Sequence, residues 1–395
     1  MIDYTYLPPH LVGIICLLFW GSCKKSDADY TPETAPQPAV TTVAHPPAEK
    51  VEINFARGFD IHYREGYKRL EILNPYQDQA DTLHYVLIPR GASLPEFEGD
   101  AQVIEIPIRS MIATSTTHIA LTDMLGANSI IEGVSQPDYV FNREIRRGLQ
   151  QGDIKGYPGG ELNKEQALAQ NPDLVMISGG QASQYDNFRV LLDSGINVLV
   201  NSEWLENTPL GKAEWVKMMA ALLDKEALAN RRFEKVKRRY RELKTKVEDV
   251  SEKPLVINNM PYKGAWFVSG GDSFFARFLR DAGADYPWFN KASTGGLRMD
   301  FEVVYEAGLR ADIWLNPGNA RTKEDILADD SRFREFKSFA NGRIFNNNRR
   351  MSKTGGNDFW ESGVVRPHIV LADLIKIMHP SLLPDHQLYY YQKIE

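Results

Sequence analysis

Eight histidines are scattered along this 395-residue chain, and one stands in a setting suited to chemistry. His118 closes the run Ser115-Thr116-Thr117-His118, which follows an apolar stretch and opens a helical one. Hydroxyls and an imidazole after a strand, at a helix N-terminus, occupy the place where open α/β sheets hold ligands and anions. Flat apolar faces come from Tyr139, Trp204, Trp266, Trp288 and Trp360, which stand after expected strands or in Gly-rich loops, and Arg298 adds a planar cation. These groups bind rather than react. Thr116, Thr117, His118, Tyr139, Trp204, Trp266, Trp288, Arg298 and Trp360 are therefore the expected ligand-binding set. The chain has no Gly-x-x-x-x-Gly-Lys-Ser/Thr loop, no Gly-x-Gly-x-x-Gly after a strand, no Gly-x-Ser-x-Gly elbow and no His-Glu-x-x-His. Its two cysteines, Cys16 and Cys23, lie near the N-terminus, which leaves no cysteine pair for zinc and no thiol chemistry in the folded body. No catalytic residue, resident metal or cofactor is expected.

The elements that must hold these groups repeat. Glu161 to Gly180 reads as cap, short helix, turn, buried strand and Gly-rich exit, and Arg298 to Gly318 reads the same way. Each copy follows a helical run, one ending Leu125-Gly126-Ala127-Asn128 and the other Ala282-Gly283-Ala284-Asp285. Two similar units in one chain predict an α/β fold of two Rossmann-like lobes, each with a mostly parallel central sheet, and a ligand cleft between them. Glu165 falls at the second helical position behind Asn163, and Glu302 at the same position behind Asp300, so each acid meets the positive end of a helix.

Boundaries follow from composition. Leu11 to Trp20 is an apolar run too short to span a bilayer, and Trp20-Gly21-Ser22-Cys23 ends it with small residues before a cysteine. This resembles a bacterial lipobox, which makes residues 1–22 a signal peptide and Cys23 the lipidated first residue. Residues 23–50 are a Pro/Thr-rich tether, and residues 51–100 a β-meander. Residues 101–210 form the first lobe, opened by the strand Gln102 to Pro107. Residues 211–252 form connecting helices and residues 253–395 the second lobe. Lys212 to Leu223 reads as one helix, and Asp224 as the cap of a second, about 25 residues long and roughly 35–40 Å in length. Its Arg and Lys residues interleave with Glu, as on a solvated face, and a net charge of -6 argues against a nucleic-acid partner.

With these residues in place the chain resembles the periplasmic binding proteins for iron-siderophores, haem and vitamin B12, the type III solute-binding proteins of ABC importers. Glu165 through Val175, the Ser115-Thr116-Thr117-His118 loop, Gly133-Val134-Ser135 and Val268-Ser269-Gly270-Gly271-Asp272-Ser273 carry the resemblance. It implies a lipid-anchored, periplasm-facing monomer that captures an iron chelate or cobalamin and hands it to a membrane permease. It implies no enzymatic activity. It also implies that Glu165 and Glu302, one per lobe, dock on arginines of the permease. Arg143, Arg146, Arg147, Arg298, Arg349 and Arg350 suit an anionic siderophore, whereas Tyr139, Trp204, Trp266, Trp288 and Trp360 suit haem or a corrinoid. The alternative is an enzyme on a two-lobed α/β scaffold, chelatase-like or metal-cluster-bearing.

Overall fold

Alternating apolar residues from Phe59 onward demand strands with one buried face. The computed structural model, which describes residues 49–77, 81–159, 162–180 and 185–395, forms them as β1 (Phe59–Arg64), β2 (Tyr67–Leu73) and β3 (Thr82–Pro89), an antiparallel meander. β4 (Gln102–Ile106), expected to open the first lobe, instead pairs in parallel with β3 and completes the meander sheet. The side chains of this sheet explain the difference, because they seal the edge of the neighbouring one. Gln102 Oε1 accepts from Val198 N at 3.0 Å and Tyr85 OH accepts from Val200 N at 3.3 Å. An open strand edge would otherwise present unpaired N–H groups.

The first lobe alternates strand and helix: β5 (Met111–Ala113), α1 (Thr116–Met124), β6 (Ile131–Ser135), α2 (Arg143–Gln151), β7 (Lys155–Tyr157), α3 (Lys164–Gln170), β8 (Leu174–Ser178), α4 (Arg189–Asp193) and β9 (Asn197–Asn201). Its five strands are all parallel in the order β7-β6-β5-β8-β9. The order reverses between β5 and β8, so the loops after those two strands flank the switch point.

Three helices join the lobes: α5 (Pro209–Glu214), α6 (Val216–Leu223) and α7 (Glu226–Thr245). The single helix expected over 212–223 is thus divided at Trp215, which is wholly buried and donates its indole N–H to Glu206 at 3.0 Å. Nor does Asp224 cap α7. It takes a left-handed conformation, φ 52°, that ends α6, and its carboxylate meets Lys68 Nζ at 2.6 Å. α7 is 20 residues long, which corresponds to about 30 Å.

The second lobe holds β10 (Val256–Asn258), β11 (Pro261–Tyr262), β12 (Ala265–Ser269), α8 (Phe274–Asp281), β13 (Gly296–Met299), α9 (Phe301–Arg310), β14 (Ile313–Leu315), α10 (Lys323–Asp329), α11 (Lys337–Ala340), β15 (Ile344–Asn346), α12 (Pro367–Met378) and β16 (Gln392–Lys393). β10, β14 and β15 run parallel, β16 joins antiparallel, and β11-β12-β13 form a separate antiparallel sheet. One hydrophobic core unites meander, first lobe and α6; a second fills the other lobe around Trp266, Trp314, Phe333 and Phe336. Phe55 and Met124 pack against both. Each large apolar side chain so buried contributes about 1.5–3 kcal/mol.

Candidate functional site

Three parallel strands of the second lobe end in asparagine. β10 runs into Asn258-Asn259, β14 into Asn316, and β15 into Asn346-Asn347-Asn348. Asn259 (φ 62°) and Asn316 (φ 56°) take the left-handed conformation, which asparagine tolerates better than most residues because its short amide bonds locally. Aromatic donors beneath the strands fix this shelf. Trp266 Nε1 donates to Asn258 O at 3.1 Å and Trp314 Nε1 to Asn259 O at 2.7 Å. Tyr286 OH donates to Asn258 Oδ1 at 2.8 Å, and Asn259 Nδ2 donates to Phe267 O at 2.8 Å. Asn316 Oδ1 is enclosed and has no hydrogen-bond partner among the described residues.

Above the shelf lies a cleft of about 830 Å³. Among the described residues seven asparagines line it, with Met260, Met351 and one charged side chain, Arg321. Its rim is aromatic: Tyr139 (57% exposed), Tyr262 (66%), Phe267 (46%) and Trp360 (53%). Exposed large apolar residues gathered around one concavity mark a binding surface. Tyr139 belongs to the first lobe and faces a wall built by the second. The carboxamides offer neutral donors and acceptors, the rings offer flat apolar faces, and Arg321 offers one positive charge. Such a lining can hold and orient a ligand.

Of the residues singled out from sequence, the structure brings Tyr139 and Trp360 to this cleft. Thr116 and Thr117 stand half-buried at the start of α1, capped by Ser115, beside the first lobe's switch point but outside the cleft lining. Contrary to expectation, the side chains of His118, Trp266 and Trp288 are buried and do not line this cleft. His118 is wholly enclosed, neither ring nitrogen is bonded among the described residues, and burial pushes its imidazole down to about 3. It occupies the inward face of α1, whose first residues alone reach the loop. Trp266 lies under the asparagine shelf and Trp288 packs edge-on against Tyr286. Trp204 is half-buried and donates to Gly179 O at 2.5 Å. Arg298 is exposed on β13, opposite Phe267.

Glu165 is exposed at the second position of α3, where Asn163 accepts from Gln166 N at 2.8 Å as the expected cap. Glu302 is exposed at the second position of α9, with Val303 exposed beside it. Asp300 holds the N-cap position there, but its side chain makes no cap bond. Cys23 lies outside the described residues. Sequence reasoning missed the asparagines and Arg321. The available signal was three asparagine clusters directly after strands, which read as turn residues.

Among the described residues, no group of three or more His, Cys, Asp or Glu is placed to hold a metal ion, and no helix is long and apolar enough to cross a membrane.

The periplasmic binding protein family model matches residues 112–348. Among curated proteins, an uncharacterized lipoprotein of Methanocaldococcus jannaschii is 27% identical over 307 residues, covering 74% of this chain and 70% of that protein. A second uncharacterized lipoprotein of the same organism is 26% identical, covering 98% and 97%. Among solved structures, a possible iron-binding periplasmic solute-binding protein of Staphylococcus epidermidis superposes with a TM-score of 0.54 at 19% identity, covering 69% of this chain and 98% of that one. A periplasmic haem-binding protein of Pseudomonas aeruginosa gives 0.52 at 16% identity, covering 69% and 94%. A nickel-bound protein of Helicobacter pylori gives 0.56 at 17% identity, covering 72% and 88%. The two-lobed fold is common to all three.

Proposed function

This chain belongs to the periplasmic binding protein family, type III in fold, whose members are substrate-binding proteins, and on that premise we propose that it is the lipid-anchored receptor of an ABC importer. It captures an iron chelate, haem or cobalamin in the cleft between its lobes and delivers it to the permease. The cleft carries this reading: an asparagine shelf under an aromatic rim, with one arginine among its described lining residues. Neutral amides and flat rings suit a broad macrocycle, haem or a corrinoid, better than a multiply charged catecholate, which would leave buried negative charge unpaired. Of the six arginines expected to favour a siderophore, none lines this cleft. The metal therefore arrives inside its chelate. Cys23 carries the acyl chains that hold the protein at the cell envelope, in keeping with its lipoprotein relatives.

Glu165 and Glu302 are the docking residues toward the permease. Each is exposed at the second position of a helix in its own lobe, and paired charges on two lobes set orientation and encounter. Two measurements test the proposal on the full chain in detergent. Tryptophan fluorescence is titrated with haem, cyanocobalamin, a ferric catecholate and a ferric hydroxamate; quenching by one of the macrocycles is expected. Binding of the catecholate alone, or of none, overturns the ligand reading. Changing Glu165 and Glu302 together to arginine abolishes uptake while that ligand's affinity stays intact. Normal uptake by the double variant refutes docking, and lost affinity moves these residues into the fold or the cleft.

A further inference from the structure

The second lobe reaches across to the first through residues 350–366, among other contacts. Glu361 Oε2 accepts from Phe141 N at 2.8 Å, and Thr354 Oγ1 donates to Asp138 O at 2.7 Å. Arg366 Nη2 lies 3.6 Å from Asp123 Oδ2. The Arg350 guanidinium sits 5.0 Å from the Phe141 ring centre and 4.2 Å from that of Tyr389, and its Nε meets Asp358 Oδ2 at 2.5 Å. Gly356 passes so close that a Cβ there would lie 2.5 Å from Tyr139 O, so the approach admits no side chain. The segments that make these contacts also supply Tyr139, Met351, Asn357 and Trp360 to the cleft. Clamp and cleft wall are one piece of chain.

We propose that Glu361 is a positioning residue that sets the aperture of the cleft, by holding the Tyr139 segment of the first lobe against the Trp360 segment of the second.

Glu361 is 3% exposed. Asp358 on its own loop and Asp123 on α1 are its acidic neighbours. Arg350 is engaged by Asp358 and Arg366 by Asp123, while Arg143 and Glu144 on α2 and Tyr389 near the C-terminus complete the cluster. Burial, with Asp358 and Asp123 adding to it, pushes the Glu361 carboxyl up to about 8. The sign follows. The clamped state keeps the proton, whereas a parted, solvated Glu361 releases it near an ordinary glutamate pKa. Closure is therefore favoured at low pH, weakens as pH rises, and stops weakening above about 8.

Hydrogen exchange of the full chain reads this directly, because the Phe141 amide is the group that Glu361 holds. Corrected for intrinsic rates, its protection is expected to fall with rising pH by up to about tenfold per unit, the slope of a one-proton linkage, and to level off above pH 8. Glu361→Gln is neutral and should give a flat profile. Asp123→Asn removes a like charge and should bring the levelling point to lower pH; this variant decides the matter if Glu361→Gln fails to fold. Acrylamide quenching of Trp360, taken as wild type minus Trp360→Phe, should rise over the same range. A flat wild-type profile, an unchanged slope in Glu361→Gln, or an unmoved levelling point in Asp123→Asn overturns the role of Glu361. Quenching that ignores pH overturns the link to the aperture.

Discussion

Replacing Glu214 by Gln is expected to loosen the N-terminal strap, residues 52–58, from the junction between the lobes. Glu214 is wholly buried, and its carboxylate accepts from Asn54 N at 3.0 Å, Phe55 N at 2.6 Å and Ala56 N at 2.8 Å. Lys217 Nζ meets it at 2.7 Å and also donates to Glu52 O at 2.6 Å. Hydrogen bonds to a charged group contribute about 1.5–3 kcal/mol each, and breaking a buried ion pair from one side costs about 3–5 kcal/mol. Gln keeps one carbonyl oxygen but turns an N–H toward main-chain donors and strands the Lys217 ammonium. The terms overlap, so the expected loss is about 3–5 kcal/mol, a drop in Tm on the order of 5–15 °C. Urea titration and calorimetry measure it, and limited proteolysis should release the strap early. Adding Lys217→Met removes the stranded charge and should restore about 1–2 kcal/mol of the loss. A loss below about 1 kcal/mol, or a double variant worse than Glu214→Gln alone, refutes this reasoning.

Other perturbations separate binding from packing. Trp360→Ala should weaken affinity for the macrocycle that binds, by roughly tenfold or more, with little change in Tm, because the ring is half exposed on the rim. Trp266→Ala should instead cost about 3–5 kcal/mol of stability, since the ring is wholly buried under the shelf. A Trp266 variant of unchanged Tm contradicts that placement. His118→Leu should flatten the acid limb of stability. The folded imidazole stays neutral down to about pH 3, so the stability it confers is present above about 6.5 and is lost as pH falls through that window. Urea midpoints at pH 7 and pH 4 check this, and an unchanged difference between them removes His118 as the cause.

Where period and punctuation agreed, the sequence was transparent. α8 and α12 begin at marks visible in the sequence, one after a capping Ser273 and the other at Pro367. The strand ending at Ser178 was legible from its apolar run before glycines. Gln102 to Ile106 misled because strand periodicity says nothing of which sheet a strand joins; Gln102 and Tyr85 decide that through side-chain bonds to β9. The break at Trp215 was hidden because no Gly or Pro marks it; tertiary burial does. At the site, aromatic type pointed to Tyr139 and Trp360. It also pointed to Trp266, because an indole under a binding surface and one on it look alike in one dimension. The asparagine shelf required knowing that β10, β14 and β15 lie side by side.

The strap has a consequence for the order in which the chain can be completed. Residues 54–58 leave the ribosome early, yet the carboxylates that hold them lie 148 to 160 positions downstream, on Glu206 and Glu214. The meander can pair with itself through local hairpins, but its leading segment has no anchor until the whole first lobe and α5 have been made. Closing a loop of that length costs about 2 kcal/mol more than closing one a tenth as long, and contacts of such separation form late. The strap is thus synthesised early and is among the last segments to settle. Until then Phe55, which finally touches both cores, stays in water, and a nascent chain is exposed at the very place where its lobes must be joined.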